Sequence, residues 1–241
     1  MAIAIVLAGG SGSRMNSDVA KQYMLLKGKE ILYYSLKVFQ DSDKISHIIL
    51  VARPEDIDYC KTDIVEKYGF TKVKEICAGG KERYNSVYNG LCVVEEISKD
   101  INTEVVLVHD GARPFVTKGM IAQSVGAMIS GSACTVGVPV KDTIKVVCEL
   151  DGEIFGKETP DRKTLYQIQT PQTFRYKLLR MGYEKMLQDT THNITDDTMV
   201  VEQYMGQGCK VIMGSYENLK ITTPEDLEIA EKIVEKNLEN F

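Results

Sequence analysis

Residues 2–15 have the sequence AIAIVLAGGSGSRM, in which an uninterrupted apolar run leads directly into a glycine-rich segment. A short apolar run bounded by glycine is typical of a strand that is buried on both faces of a parallel sheet. Further apolar runs follow along the chain, and stretches with helical spacing of apolar residues lie between them. This alternation indicates βαβ units and predicts an α/β fold with a mainly parallel sheet.

Six apolar runs are the predicted strands of that sheet, and they span residues 3–8, 47–51, 73–77, 105–108, 134–140 and 209–213. Between the third and fourth runs, Val87, Leu91 and Val94 recur at helical spacing and predict a helix over residues 81–96. The last predicted helix begins with Thr223 as its N-cap and Pro224 at its first helical position. Strands and helices are therefore expected through most of the chain.

One segment departs from this alternation. Residues 141–169 contain two short apolar stretches on either side of Asp151-Gly152, a dipeptide typical of two-residue hairpin turns. We predict a single domain over residues 1–241, with a protruding β-arm at approximately residues 141–165. Because an isolated hairpin is at best marginally stable, this arm is expected to lie on the body of the protein or on another subunit.

The composition excludes several classes of protein. Lysine and arginine number 29 against 34 aspartate and glutamate residues among 241, and the net charge of −5 argues against a nucleic-acid or membrane-surface partner. The apolar runs are also much shorter than the roughly 20 residues that span a bilayer. The six cysteines are widely scattered, which disfavours a zinc site or a disulfide framework and favours reduced thiols in a cytoplasmic protein.

The glycine-rich segment after the first run is typical of an anion site. Gly9, Gly10 and Gly12 let successive backbone N–H groups point into one concavity, and Arg14 and Lys21 add positive charge. We interpret the segment as a phosphate-binding loop, the alternative being a plain glycine turn between a strand and a helix. The loop lacks the lysine of a Walker A motif, and the missing third glycine disfavours an NAD-dependent oxidoreductase.

A polar group follows the fourth apolar run, at the edge where ligands bind in open α/β sheets. Asp110 is a candidate ligand of a metal or a sugar hydroxyl, and Arg113 is a candidate ligand of a phosphate. For both residues the alternative is a structural role at a helix start or on a solvated surface. His109 is expected to be a buried structural histidine.

Other candidate residues lie in segments with weaker local signals. Thr143 and Arg162 lie towards the two ends of the predicted arm, where spacing alone predicts solvated side chains. Thr195 opens the segment Thr195-Asp196-Asp197, which is first of all a helix N-cap. Lys220 lies in a short strand-like segment and by default points to solvent.

Seven segments together resemble the cytidylyltransferases that couple CTP to a sugar-alcohol phosphate. They are LAGGSGSRM (7–15) with the following Lys21, AGGKERYNSV (78–87), VHDGARPF (108–115), VPVKDTIK (138–145), QTPQTF (169–174), TDD (195–197) and NLKITTPEDL (218–227). Each segment is weak alone, but their order and spacing from the first strand to the last helix are specific. The chain most resembles the 2-C-methyl-D-erythritol 4-phosphate cytidylyltransferase family of the non-mevalonate isoprenoid pathway.

This resemblance implies roles for individual residues. The first loop would wrap the CTP triphosphate, and Arg14 and Lys21 would stabilise the charged transition state. The residues implied in CTP binding are Leu7, Ala8, Gly9, Gly10, Gly12, Gly79, Gly80, Arg83, Ser86, Asp110 and Ala112. The residues implied in binding the sugar phosphate are Arg113, Thr143, Arg162, Thr195 and Lys220. Of these, Thr143 and Arg162 would reach the active site of a partner subunit.

The resemblance also implies a Rossmann-like nucleotidyltransferase fold, a homodimer formed through the β-arm, and transfer of CMP from CTP to 2-C-methyl-D-erythritol 4-phosphate. Mg²⁺ is expected as a cofactor, held mainly by the CTP phosphates, with Asp110 as the only candidate protein ligand.

Two alternatives to this function stay open at the level of the sequence. A ribitol 5-phosphate cytidylyltransferase making CDP-ribitol shares most of the motifs, although Lys145 and the segment Thr195-Asp196-Asp197 favour the methylerythritol family. A non-catalytic nucleotide-binding protein on the same scaffold is the second alternative. The presence of both Arg14 and Lys21 disfavours it.

Overall fold

The protein is described by a computed structural model over residues 1–10, 20–102 and 104–236. Its central element is a seven-stranded sheet with strand order β11-β7-β10-β6-β1-β4-β5. These strands are β1 (Ala2–Ala8), β4 (Ile45–Ala52), β5 (Val73–Ala78), β6 (Val105–Asp110), β7 (Ala133–Pro139), β10 (Tyr166–Arg175) and β11 (Lys210–Met213). All neighbouring pairs are parallel except those made by β10, which confirms the predicted α/β class.

Helices cover both faces of the sheet. They are α1 (Ile31–Asp41), α2 (Ile57–Tyr59), which continues into a π-helical segment Cys60–Glu66, α3 (Arg83–Ile97), α4 (Lys118–Ala127), α5 (Tyr176–Met186), α6 (Asp197–Met205) and α7 (Pro224–Lys236). Short 3-10 turns lie at Lys21–Tyr23, Pro54–Asp56 and Arg162–Thr164, and two short strands, β2 (Leu25–Leu26) and β3 (Lys29–Glu30), pair before α1. None of the described helices is long and apolar enough to cross a membrane.

The two-residue period of β1 divides the apolar side chains between two cores. Ala2, Ala4 and Val6 pack in the core that contains α1, α4 and α7. Ile3 and Ile5 pack on the opposite face with α3, α5 and α6. The continuous apolar run at residues 2–8 is therefore required because both faces of β1 are buried.

Close packing of α3 on β1 depends on a glycine. A Cβ on Gly90 would lie 2.7 Å from Cγ2 of Ile5, so a larger residue would push the helix away from the sheet. This contact sets the distance between α3 and the face of the sheet. It therefore also sets the position of Arg83, the first residue of α3.

Strand β10 is the main feature that sequence patterning missed. No strand was predicted over Tyr166–Arg175, because its sequence YQIQTPQTFR is rich in glutamine and contains a proline. The structure places it in the middle of the sheet, antiparallel to both β6 and β7. The register with β7 shifts between Ile168 and Gln172, around the cis Thr170-Pro171 peptide.

The predicted hairpin is confirmed. Strand β8 (Val146–Leu150) pairs antiparallel with β9 (Glu153–Glu158), and Asp151 and Gly152 make the turn with φ values of 53° and 80°. In the part of the chain that the structure describes, this hairpin forms its own two-stranded sheet, separate from the main one. All of β9 and most of β8 is exposed.

Candidate active site

The candidate site lies at the carboxyl ends of the parallel strands. Leu7 near the end of β1 is the direct neighbour of Asp110 at the end of β6, so the first glycines of the loop and the polar group after β6 share one edge. A cleft of about 330 Å³ opens there. Its lining residues are Leu7, Ala8, Gly9, Gly10, Lys21, Gln22, Gly80, Lys81, Glu82, Arg83, Ser86, Asp110, Ala112 and Lys220.

Lys21 lies beside the described part of the glycine loop. A Cβ on Gly10 would be 3.9 Å from Cε of Lys21, so the lysine stem packs over the glycine backbone. The next residue, Gln22, is buried and donates a hydrogen bond of 2.6 Å from Nε2 to the carbonyl oxygen of Ala8. This bond ties the 3-10 turn that carries Lys21 to the end of β1.

The segment before α3 forms a tight backbone wall of the cleft. The N–H of Gly80 donates to Oγ of Ser86 at 3.0 Å, and the Ser86 hydroxyl donates to the carbonyl oxygen of Glu82. A Cβ on Gly80 would lie 2.3 Å from Cβ of Asn85, and one on Gly79 would lie 2.9 Å from Oγ of Ser86. Both positions therefore require glycine.

Asp110 is the electrostatic centre of the cleft. Its carboxylate lies 2.9 Å from Nζ of Lys220, 3.4 Å from Nε of Arg83 and 3.7 Å from Nε of Arg113. Burial alone would raise the pKa of this carboxyl, but the three cations hold its pKa well below the usual range. Asp110 is therefore ionised at neutral pH and orients the cations around it.

Arg83 is held by a second carboxylate as well. Its two terminal nitrogens donate to the two oxygens of Asp197 at 3.0 and 2.8 Å, a paired geometry typical of strong arginine–carboxylate contacts. Asp197 is fully buried at the first residue of α6, and Tyr183 of α5 donates its hydroxyl proton to it.

His109 has the structural role that was predicted for it. The ring is fully buried, with Nδ1 2.9 Å from the Thr170 hydroxyl and Nε2 3.1 Å from the carbonyl oxygen of Arg113. The Thr170 oxygen also accepts the backbone N–H of Asp110, so its own proton is donated to Nδ1. Burial lowers the pKa of His109 to about 4, and the neutral ring therefore braces the segment that carries Asp110.

A second cavity of about 250 Å³ adjoins the first. It is lined by Arg83, Asp110, Arg113, Ile168, Gln169, Thr170, Gln172, Thr195, Asp196 and Lys220. Arg83, Asp110 and Lys220 line both cavities. Two ligands, one in each cavity, would therefore lie next to each other at this shared wall.

Comparison with known proteins points to a family for this chain. The family model described as "IspD: 2-C-methyl-D-erythritol 4-phosphate cytidylyltransferase" matches residues 2–236. Curated proteins with that name from Clostridioides difficile (strain 630) and Clostridium novyi (strain NT) are 46% and 47% identical to the chain. The first alignment covers 95% of this chain and 92% of the relative, and the second covers 96% of each.

The solved structure of a 4-diphosphocytidyl-2C-methyl-D-erythritol synthase from Anaerococcus prevotii DSM 20548 superposes with a TM-score of 0.80 at 33% identity. The match covers 97% of this chain and 95% of that one. The chain belongs to the IspD family. The cavities described above are therefore those of a family of cytidylyltransferases.

Most of the residues that the sequence singled out come together in this IspD-family site. Leu7, Ala8, Gly9, Gly10, Lys21, Gly80, Arg83, Ser86, Asp110, Ala112 and Lys220 line the first cavity, and Arg113 and Thr195 line the second. Gly79 is outside the lining but shapes it through its contact with Ser86. Gly12 and Arg14 lie outside the described residues.

The structure changes one local interpretation, that of Lys220, and confirms another, the N-cap of α6. The default expectation of a solvated Lys220 is wrong, because the ammonium group pairs with Asp110. Asp196 is the N-cap of α6, as predicted, and accepts the backbone N–H of Met199. Thr195, the predicted substrate ligand, is exposed, and its hydroxyl contacts Sδ of Met199 at 3.0 Å.

Thr143 and Arg162 are in neither cavity of their own chain. Both are exposed, and Arg162 donates to the carbonyl oxygen of Lys141 at 2.7 Å.

Sequence reasoning missed a layer of buried polar residues behind the site. Asp197 and Gln172 lie in the segments TDD (195–197) and QTPQTF (169–174), whose patterns predict no function for either residue, and Tyr183 has no signal in the sequence. Gln172 accepts the backbone N–H of Asp197 and donates to Asp196 at 2.9 Å. An aspartate directly after an N-cap aspartate was the one available signal, since a helix needs only one cap.

The carboxylates of the cleft are compatible with a metal ion that enters already bound to a phosphate ligand. Within the described ranges there is no group of three or more histidine, cysteine, aspartate or glutamate side chains that could hold an ion. Asp110 faces both cavities, but three cations already surround its oxygens. Among the described residues, Asp110 is the carboxylate that lines both cavities, so it is the candidate protein ligand for a cation brought in by a phosphate.

Proposed function

We propose that the protein transfers CMP from CTP to 2-C-methyl-D-erythritol 4-phosphate, releasing pyrophosphate and giving 4-diphosphocytidyl-2-C-methyl-D-erythritol for isoprenoid biosynthesis. The observation that carries the proposal is the pair of adjoining cavities that share Arg83, Asp110 and Lys220. One cavity includes the start of the glycine loop and suits a nucleotide, and the other is lined by cations and amides that suit a polar phosphate. The names of the matching relatives favour methylerythritol over ribitol phosphate as acceptor.

The chemistry requires no nucleophile from the protein. An oxygen of the acceptor phosphate attacks the α-phosphorus of CTP, the new O–P bond forms, and the bond to the departing pyrophosphate breaks in line. The acceptor phosphate is already an anion at neutral pH. The barrier is therefore set by bringing two polyanions together and by charge at the α-phosphoryl group.

Cations and fixed N–H donors lower that barrier. In this proposal Lys21 and Arg14 stabilise the charge on the CTP phosphates, and the backbone of Gly9 and Gly10 cradles them. Lys220 and Arg113 orient the acceptor phosphate from the second cavity. Asp110 holds Lys220 at 2.9 Å, so that this cation does not have to be ordered when substrate binds.

Mg²⁺ is proposed as the cofactor of the reaction. It would be held mainly by the CTP phosphates, with Asp110, the carboxylate among the described residues that lines both cavities, as the candidate protein ligand. When bound, the ion would neutralise phosphate charge and stabilise the pyrophosphate leaving group.

We also propose that the active form is a homodimer in which the β-arm of one chain reaches the second cavity of the other. The arm exposes several apolar side chains, which in water favour burial against another surface. They are Ile144, Val146, Val147, Leu150, Ile154 and Phe155. Such an exchange would bring Thr143 and Arg162 to the substrate of the partner subunit.

A cytoplasmic location is the remaining part of the proposal. All six cysteines lie within the described residues and are free thiols, which suits a reducing compartment.

The test is a side-by-side assay of pyrophosphate release from CTP and Mg²⁺ with 2-C-methyl-D-erythritol 4-phosphate or ribitol 5-phosphate, with the product identified by mass spectrometry. We expect the methylerythritol substrate to give the higher kcat/KM. A preference for ribitol 5-phosphate would replace the acceptor in the proposal. Release of no pyrophosphate with either acceptor would favour a non-catalytic nucleotide-binding protein.

A further inference from the structure

Three buried or half-buried side chains from three helices form a chain of contacts behind the shared wall of the two cavities. Tyr183 of α5 donates to Oδ1 of Asp197 at the start of α6, and both carboxylate oxygens of Asp197 accept from Arg83 at the start of α3. Tyr183 and Asp197 are fully buried and line neither cavity. Only Arg83 of the three faces the ligand space.

We propose that Tyr183 and Asp197 are positioning residues of the transfer reaction, which act through Arg83 and hold its guanidinium at the point where the two substrates meet. The inference rests on the proposed CMP transfer and adds to it two residues that would touch no substrate.

Arg83 retains donors for ligands in this arrangement. A guanidinium has five N–H bonds. The pair with Asp197 uses one on each terminal nitrogen, and Nε points to Asp110 at 3.4 Å. One N–H on each terminal nitrogen is then directed away from Asp197. Because Arg83 lines both cavities, these donors can reach oxygens of either substrate.

Asp197 is itself held rigidly. Its backbone N–H donates to Oε1 of Gln172 at 2.9 Å, and the Nε2 of the same amide donates to the capping carboxylate of Asp196. Gln172 belongs to β10, so the start of α6 is fastened to the central sheet. Tyr183 then fixes the rotation of the Asp197 carboxylate, which sets the plane of the guanidinium.

The expected kinetic effect follows from this geometry. Without the Tyr183 hydroxyl the Asp197 carboxylate loses one of its fixed donors, and Arg83 gains rotational freedom at the reacting phosphates. Misorientation there raises the barrier of the chemical step. Binding of each substrate is affected less, because Lys21, Lys220 and Arg113 keep their positions.

The experiment is a double-mutant cycle with Tyr183→Phe and Arg83→Lys, read out as kcat and as KM for each substrate. Tyr183→Phe alone should lower kcat about tenfold, the scale of one hydrogen bond to a charged group, with each KM within about threefold of wild type. In the Arg83→Lys background, where the paired geometry with Asp197 is already lost, the same change should have no further effect on kcat.

Tyr176→Phe is the matched control, since it removes another buried tyrosine hydroxyl of α5, whose partners are the carbonyl oxygen of Leu91 and Oε2 of Glu95, away from both cavities. It should leave kcat at the wild-type value. Asp197→Asn, which keeps the shape of the side chain, provides a second cycle with Arg83→Lys if Tyr183→Phe fails to fold. The thermal unfolding midpoint of every variant shows whether it is folded.

The inference is overturned if Tyr183→Phe keeps the wild-type kcat, or if it lowers kcat by the same factor in both backgrounds, as general destabilisation would. These outcomes are distinct from a failure of the proposed function, which would show as absence of CMP transfer in the wild-type protein.

Discussion

The cleft and the arm of this protein use charged residues in opposite ways. Asp110 in the cleft and Asp197 behind its wall are buried, and each lies at hydrogen-bond or ion-pair distance from at least one cation of the same chain. On the arm, Arg162 is exposed and its described contact is a backbone carbonyl oxygen. The difference shows that contacts within one chain fix the charged groups of the cleft, whereas Arg162 on the arm has no buried carboxylate beside it among the described contacts.

The physical reason is the cost of removing charge from water. A buried carboxylate is strongly unfavourable unless it is paired and hydrogen-bonded, so the residues around Asp110 and Asp197 have few alternative arrangements. An exposed arginine loses little by moving, and its contacts contribute little to stability. The cations around Asp110 and Asp197 are therefore held in place before substrate binds, and Arg162 on the arm is held less tightly.

The largest expected effect is on catalysis, and it distinguishes the proposed catalytic lysine of the cleft from a lysine on the surface. Lys21→Ala should lower kcat for CMP transfer by about a hundredfold or more, because one preformed donor to the transition state is lost. The fold should be unchanged by circular dichroism. Lys27→Ala is the control: it removes a nearby lysine that pairs with Glu235 on the surface, and it should leave kcat unaltered. Equal activity of the Lys21 and Lys27 variants would contradict the assignment.

The next prediction tests whether the arm completes a partner's cleft. Lys21→Ala and Arg162→Ala proteins should each be nearly inactive alone. After subunit exchange, half of the dimers in an equal mixture combine the two variants. In each mixed dimer, the cleft that keeps Lys21 receives the arm that keeps Arg162, so one of the two sites is intact. The mixture should then recover about a quarter of wild-type specific activity.

Native mass spectrometry verifies the exchange in that experiment. Lys163→Ala, which changes the neighbouring arm residue, is the control that should stay active. Proven exchange without recovery, or an active Arg162→Ala protein, would mean that the arm does not share the site.

The smallest expected effect concerns the stability of the cleft against acid. The pKa of His109 falls from 6.5 to about 4 because the ring is buried, so between these values the unfolded chain binds a proton that the folded chain does not. His109 therefore makes the free energy of unfolding fall as the pH drops from 6.5 towards 4.

His109→Gln removes this dependence and keeps a donor and an acceptor for Arg113 and Thr170. Between pH 7 and pH 5 the wild-type protein should lose about 2 kcal/mol more stability than the variant, measured by urea denaturation at both pH values. An identical loss in the two proteins would show that His109 is not the buried neutral group described above.

Local patterns in the sequence predicted the elements that carry local signals. The apolar run at residues 2–8 is buried on both faces, the turn at Asp151-Gly152 is a hairpin, and the first two glycines of the loop, Gly9 and Gly10, lie at the carboxyl edge of the sheet. The same kind of reasoning failed for β10, in which Gln169 and Gln172 are buried and donate hydrogen bonds to the Ser215 carbonyl oxygen and to Asp196.

The order of strands and helices and the family motifs follow from the sequence by itself, because apolar period, glycine and turn residues act within a few positions of the chain. Only the tertiary structure brings Arg83 against Asp197, which are 114 residues apart, and places β10 between β6 and β7. Neither arrangement produces a periodic pattern in the local sequence from which it could be predicted. Both result from the need to pair every buried charge and backbone group once the chain has folded.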